Sequence, residues 1–90
     1  MSESDIRSFF DKFERYYWQT VTLFNGTIKS VGYSYELHGD ILRITIRYSL
    51  YPDYSPIDVE DFKREMERGA SKAEEESYCI YMPSLEFVRR

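Results

Sequence analysis

From Thr27 to Tyr51 the chain alternates strictly in two runs, TIKSVGYSYEL and ILRITIRYSL, on either side of His38-Gly39-Asp40. Successive side chains of a strand point to opposite faces, so a period of two sustained this long dictates an antiparallel hairpin with two unlike faces. One face gathers Val31, Tyr33, Tyr35 and Leu37 with Ile44, Ile46, Tyr48 and Leu50. The other gathers Ser30, Gly32, Ser34 and Glu36 with Arg43, Thr45, Arg47, Ser49 and Tyr51. Gly39 is available for positive φ in the turn. The apolar face has to be covered by another layer of the same domain.

Helices are the natural cover. Ile6, Phe9, Phe10, Phe13, Tyr16 and Tyr17 recur at spacings of three and four, which predicts an amphipathic helix with Ser2 or Ser4 as its N-cap. Its end has two readings. The spacing Phe10, Phe13, Tyr17, Val21, Phe24 carries the helix on to Asn25-Gly26, whereas β-branched Thr20, Val21 and Thr22 before Asn-Gly favour a strand and a tight hairpin. The strand over residues 18–24 is the expectation preferred. Two prolines make YPDYSP a loop, and Ser55, Pro56 and Asp58 are placed as the N-cap, first-turn and third positions of a second helix. Val59, Phe62, Met66, Ala70 and Ala73 form its inward stripe. Gly69 either ends that helix, with Ser71 and Glu74 starting another, or is carried through it at about 1 kcal/mol. YCIYMPSLEFV is extended in character, with Pro83 marking an edge strand or bulge.

These elements predict one α+β domain over residues 1–90: an antiparallel sheet of three to four strands with two helices packed on one face, in the order α-β-β-β-α-β or α-β-β-α-β. Ninety residues are too few to divide between two cores. In its second form the order resembles a ferredoxin-like unit lacking its first strand, an analogy of order alone that implies an unpaired sheet edge.

No apolar run approaches the roughly 20 residues that cross a bilayer, and MSESDIRSFF has acids where a secretory signal has bases. The expectation is a cytoplasmic protein without a membrane partner. One cysteine, Cys79, allows neither an intrachain disulfide nor a cysteine-rich metal site. His38 beside Asp40 reads first as a polar turn residue and Cys79 as a small buried hydrophobe; Cys79 could serve as a nucleophile only with His38 within hydrogen-bond reach across the sheet. Glu74, Glu75 and Glu76 are consecutive on a helix, so their side chains diverge instead of converging on a cation. Phosphate-binding, hydrolase and metalloprotease signatures are missing from the sequence, and no enzyme, cofactor or metal is expected.

What remains is surface chemistry. The net charge of −4 is concentrated in residues 57–77, which hold eight acids against four bases, while residues 27–51 hold three bases against two acids. Nine tyrosines favour wet margins and interfaces as much as dry cores. The expected function is therefore a small non-enzymatic interaction or regulatory protein that binds another macromolecule, a protein first, and forms a homodimer through a sheet edge or face. Its contact residues are expected to be Arg43, Arg47, Tyr48, Tyr51 and Tyr54, with Glu60 and Glu67 on the acidic helix. An inhibitor-like protein of viral or mobile-element origin, covering a basic surface of its target, is one concrete form of this reading. The alternative is a nucleic-acid-binding domain, with Arg43 and Arg47 on phosphates and Tyr51 under a base. A solvated sheet face with no partner is the blander account of the same residues.

Overall fold

The computed structural model describes residues 3–78 and 81–90. Its order is α1 (Glu3–Leu23), β1 (Ile28–His38), β2 (Ile41–Leu50), α2 (Pro56–Ser77) and β3 (Met82–Arg89). The shorter of the two expected orders is the one adopted. The three strands form one sheet in the order β1-β2-β3, and both helices lie on the same face of it.

β1 and β2 pair antiparallel from Ile28↔Leu50 to His38↔Ile41, with an irregularity between Ile28 and Ser30. Gly39 and Asp40 make the connection, and Gly39 takes φ of 62°, the left-handed position that a two-residue hairpin loop gives to glycine. The sheet is mixed where an all-antiparallel one was expected. β2 and β3 pair parallel, from Ile41↔Met82 to Tyr48↔Arg89, because α2 runs back along the sheet and returns the chain to the end at which β2 began. Pro83 lies in β3, an edge strand, where a residue without a backbone donor does least harm.

Residues 18–23 belong to α1, which overturns the strand preferred for residues 18–24. The stripe of Phe9, Phe13 and Tyr17 continues into Thr20, which is buried, so tertiary packing outweighs the extended preference of the Thr-Val-Thr run. Phe24–Thr27 form the turn that closes the helix, with the amides of Thr27 and Ile28 both donating to the Phe24 carbonyl. Since α1 already includes Glu3, Ser4 lies inside it, and Ser2 is outside the described residues. At the head of α2, Ser55 is the N-cap, its hydroxyl accepting from the Asp58 amide at 3.4 Å, with Pro56 in the first turn. The Asp58 carboxylate accepts from the Thr27 hydroxyl at 3.2 Å, which ties the turn after α1 to the start of α2.

α2 is unbroken through Gly69, which is buried against α1. The core lies between the layers: Phe9, Phe13 and Tyr17 of α1, Val59, Phe62, Met66, Ala70 and Ala73 of α2, and Leu42, Ile44, Ile46 and Tyr48 of β2. Phe62 is its hub, with ring centroids 6.0 Å from Phe24, 5.8 Å from Tyr48 and 6.2 Å from Phe87. The result is a plate of 44 × 21 × 16 Å with helices on one side only. Among the described residues no helix is long and apolar enough to cross a membrane.

Candidate interaction surfaces

The uncovered sheet face follows directly from the register. Ser30 pairs with Ser49, Gly32 with Arg47, Ser34 with Thr45 and Glu36 with Arg43, and on the other side of β2 Ser84 lies beside Arg43, Glu86 beside Thr45 and Val88 beside Arg47. At about 3.4 Å per residue and 4.8 Å between strands, this face spans roughly 30 by 14 Å.

Its cations are held in place by hydroxyls. Arg47 stands opposite Gly32, which has no side chain to block it, and its Nη1 donates to Ser34 Oγ at 2.9 Å. Arg90 Nη2 donates to Ser30 Oγ at 3.1 Å, so a third guanidinium, from just beyond β3, reaches across β2 to β1. Ser30 and Ser49 share a hydrogen bond of 2.5 Å. Arg43 stands directly opposite Glu36, whose carboxylate is 3.2 Å from His38 Nε2. His38 therefore pairs with Glu36 instead of Asp40, at the exposed end of the hairpin; Cys79 lies outside the described residues.

Of the contact residues expected from sequence, Arg43 and Arg47 lie exposed on this face. Tyr48 does not: it is 4% exposed and packs on Phe62, because a period of two places it with Ile44 and Ile46, not with its neighbours in sequence. Tyr51 is exposed just past the end of β2. Tyr54 is half-buried under the Arg89 guanidinium, 5.0 Å from its ring centroid, and is already occupied as an aromatic. Glu60 and Glu67 are exposed on α2, in the opposite layer, where they line a shallow groove with Lys63, Arg64 and Phe87. The basic and acidic candidates thus belong to separate surfaces. Three of the acids of α2 are paired with bases of the same helix at i,i+3: Glu60–Lys63, Asp61–Arg64 and Glu65–Arg68. Glu76 is exposed and accepts a hydrogen bond from the Tyr16 hydroxyl, which ties α2 to α1.

A second surface escaped the sequence reading, the groove between α1 and the outer edge of β1. Phe10 stacks on Tyr33 at 5.7 Å and lies 4.6 Å from Tyr35, and Tyr33 is also wedged against Phe13 and Tyr17 while its hydroxyl donates to Glu14 at 2.7 Å. Trp18 is 57% and Tyr35 47% exposed. Two tyrosines on the same face of one strand, Tyr33 and Tyr35, with a helix stripe holding spare aromatics, were the available signal.

Burial, followed by the hydrogen bond to the anionic Glu14, pushes the Tyr33 phenol well above its ordinary value of 10.0. The folded chain then keeps a proton that the unfolded chain loses, so this contribution to stability is complete below pH 10 and is lost as pH rises beyond it. Denaturant midpoints across the alkaline range should stay level to about pH 10 and fall above it, and Tyr33→Phe should fall less steeply. A parallel decline in the two proteins would assign the alkaline loss to other groups, Tyr16 and Tyr17 first, since both phenols are also raised.

Comparison of the chain with protein-family models, curated proteins and solved structures returns no match.

Proposed function

We propose that the chain is a non-catalytic interaction module whose uncovered sheet face binds an acidic segment of a partner protein. The observation that carries this reading is the set of Arg43, Arg47 and Arg90 on one hydroxyl-lined face that neither helix covers. A guanidinium fork offers paired donors to a carboxylate, and serine and threonine hydroxyls satisfy backbone groups of an incoming segment. Two guanidiniums are already positioned by serines, which reduces the side-chain ordering that binding has to supply.

Nucleic acid is the second reading, since the same donors suit phosphates. Two features weigh against it. The strand aromatics Tyr33, Tyr35, Tyr48 and Phe87 all share the helix side of the sheet, so among the described residues no ring stands between the arginines to stack a base. The acids of α2 also keep the long-range field negative.

The test is affinity capture from the native host with wild-type and Arg43→Glu/Arg47→Glu protein, with and without nuclease. Both residues are exposed, so the double variant should fold normally while recovery of a protein partner falls at least tenfold. Capture that survives the reversal removes the sheet face as the binding site. Capture that disappears with nuclease and weakens steeply with salt transfers the face to nucleic acid.

A further inference from the structure

We infer that the free edge of β1 pairs antiparallel with β1 of a second copy, about a two-fold axis at Tyr33, to make a continuous six-stranded sheet. This inference is independent of what the arginine face binds.

Among the described residues β1 is the longest strand at 11 residues, and only one of its edges is paired. Edge strands are ordinarily blunted by proline or charge, as β3 is by Pro83, Glu86 and Arg89. From Val31 to Leu37, β1 has no proline and one charged residue, Glu36. Beside that edge runs the groove lined by Glu14, Tyr17, Trp18, Val31, Tyr33 and Tyr35. An open edge next to exposed rings is built for an incoming strand that carries apolar side chains at every second position.

The occupant is argued from self-complementarity. With Tyr33 opposite Tyr33 of the second copy, β1 faces itself end to end; clear of the irregularity between Ile28 and Ser30 the regular overlap is residues 30–36, in which Val31 meets Tyr35 twice and Gly32 meets Ser34 twice. On the helix side this sets a β-branched residue against an aromatic, a favoured cross-strand pair, and directs both rows into the two grooves. On the open side, Glu36 of each copy falls opposite Ser30 of the other. Ser30 is the residue that already holds the Arg90 guanidinium, so each Glu36 gains a cation beside it in addition to Arg43 and His38 of its own chain. A two-fold axis at Ser34 instead sets Glu36 against Gly32, beside Arg47 in place of Arg90, and replaces each Val31–Tyr35 pair with Val31–Leu37, so reversal of Arg90 distinguishes the two registers. The seven-residue overlap supplies about six to eight main-chain hydrogen bonds to groups that otherwise face water. Both arginine faces then lie on the same side of one sheet, doubling the surface available to a multivalent partner.

Light scattering and sedimentation equilibrium of the full chain over a wide concentration series should show a monomer–dimer equilibrium. Glu36→Arg and Arg90→Glu should each raise the dimer dissociation constant about tenfold or more, because two contacts per dimer become repulsive. The double variant Glu36→Arg/Arg90→Glu should return it to near the wild-type value. These side chains are exposed, and circular dichroism checks that each variant is folded. A chain that is monomeric up to near-millimolar concentration overturns the inference, whether the edge then accepts a foreign strand or stays solvated. Dimerisation that is indifferent to both single reversals overturns this interface.

Discussion

Phe62→Ala should cost about 3–5 kcal/mol of folding stability, the cost typical of truncating a fully buried phenylalanine. Its side chain is 0% exposed and is where four elements of chain meet: Phe24 after α1, Tyr48 of β2, Phe87 of β3 and its own helix α2. Removing the ring deletes these contacts together, and none of the neighbours can move in without giving up another. Total stability for a domain is about 5–15 kcal/mol, so the variant should sit close to unfolding at ordinary temperature. In a chain of this size each kcal/mol moves the melting midpoint by roughly 4–8 °C, which places the shift well above 10 °C. Phe62→Leu, which keeps most of the volume, should lose much less. Urea melts of the three proteins measure both differences, and a loss below about 1 kcal/mol for the alanine variant would mean that α2 is not seated on the sheet through this side chain.

The same ring shows what sequence alone made legible. Inward positions on α2 and β2 followed from periods of 3.6 and 2, and Val59, Phe62, Met66, Ala70, Ala73, Ile44 and Ile46 are all in the core. The N-cap at Ser55 and the positive φ at Gly39 followed from local chemistry, which acts over three or four residues and needs no tertiary knowledge. Non-local terms decided the rest. Thr20, Val21 and Thr22 carry an extended preference, but burying Thr20 against the second helix holds them helical. The parallel placement of β3 depends on how far α2 reaches along the sheet. For the candidate surface, the exposure of Arg43 and Arg47 was readable from alternation. Tyr48 was assigned to that surface through proximity in sequence to Tyr51 and Tyr54, against the same alternation that buries it. Arg90 was missed because its part in the face depends on β3 lying beside β2, which brings the end of the chain across to Ser30.

Gly69→Ala should destabilise the fold even though alanine is the better helix former, and the reason lies in which atom it meets. A Cβ built on Gly69 falls 2.8 Å from the Cβ of Tyr16, closer than two carbons tolerate. Had the obstacle been the phenol ring, a change of rotamer would relieve it; a Cβ is fixed to the backbone, so the helices themselves have to separate. Separation strains the ties around the crossing, the Tyr16–Glu76 hydrogen bond and the Lys72 ammonium 5.6 Å from the Tyr16 ring. Replacing glycine inside a helix gains about 1 kcal/mol, whereas overpacking a tight interface costs typically 1–3 kcal/mol, so the net change should be a loss, larger for Gly69→Leu. A mutant cycle isolates the contact. Tyr16→Ala retains the offending carbon and should not rescue Gly69→Ala, whereas in a Tyr16→Gly background the same substitution should stabilise by up to about 1 kcal/mol, the propensity gain alone. Chemical denaturation of the set decides the matter: if Gly69→Ala raises stability in the otherwise wild-type chain, α1 and α2 do not approach as closely as this crossing requires.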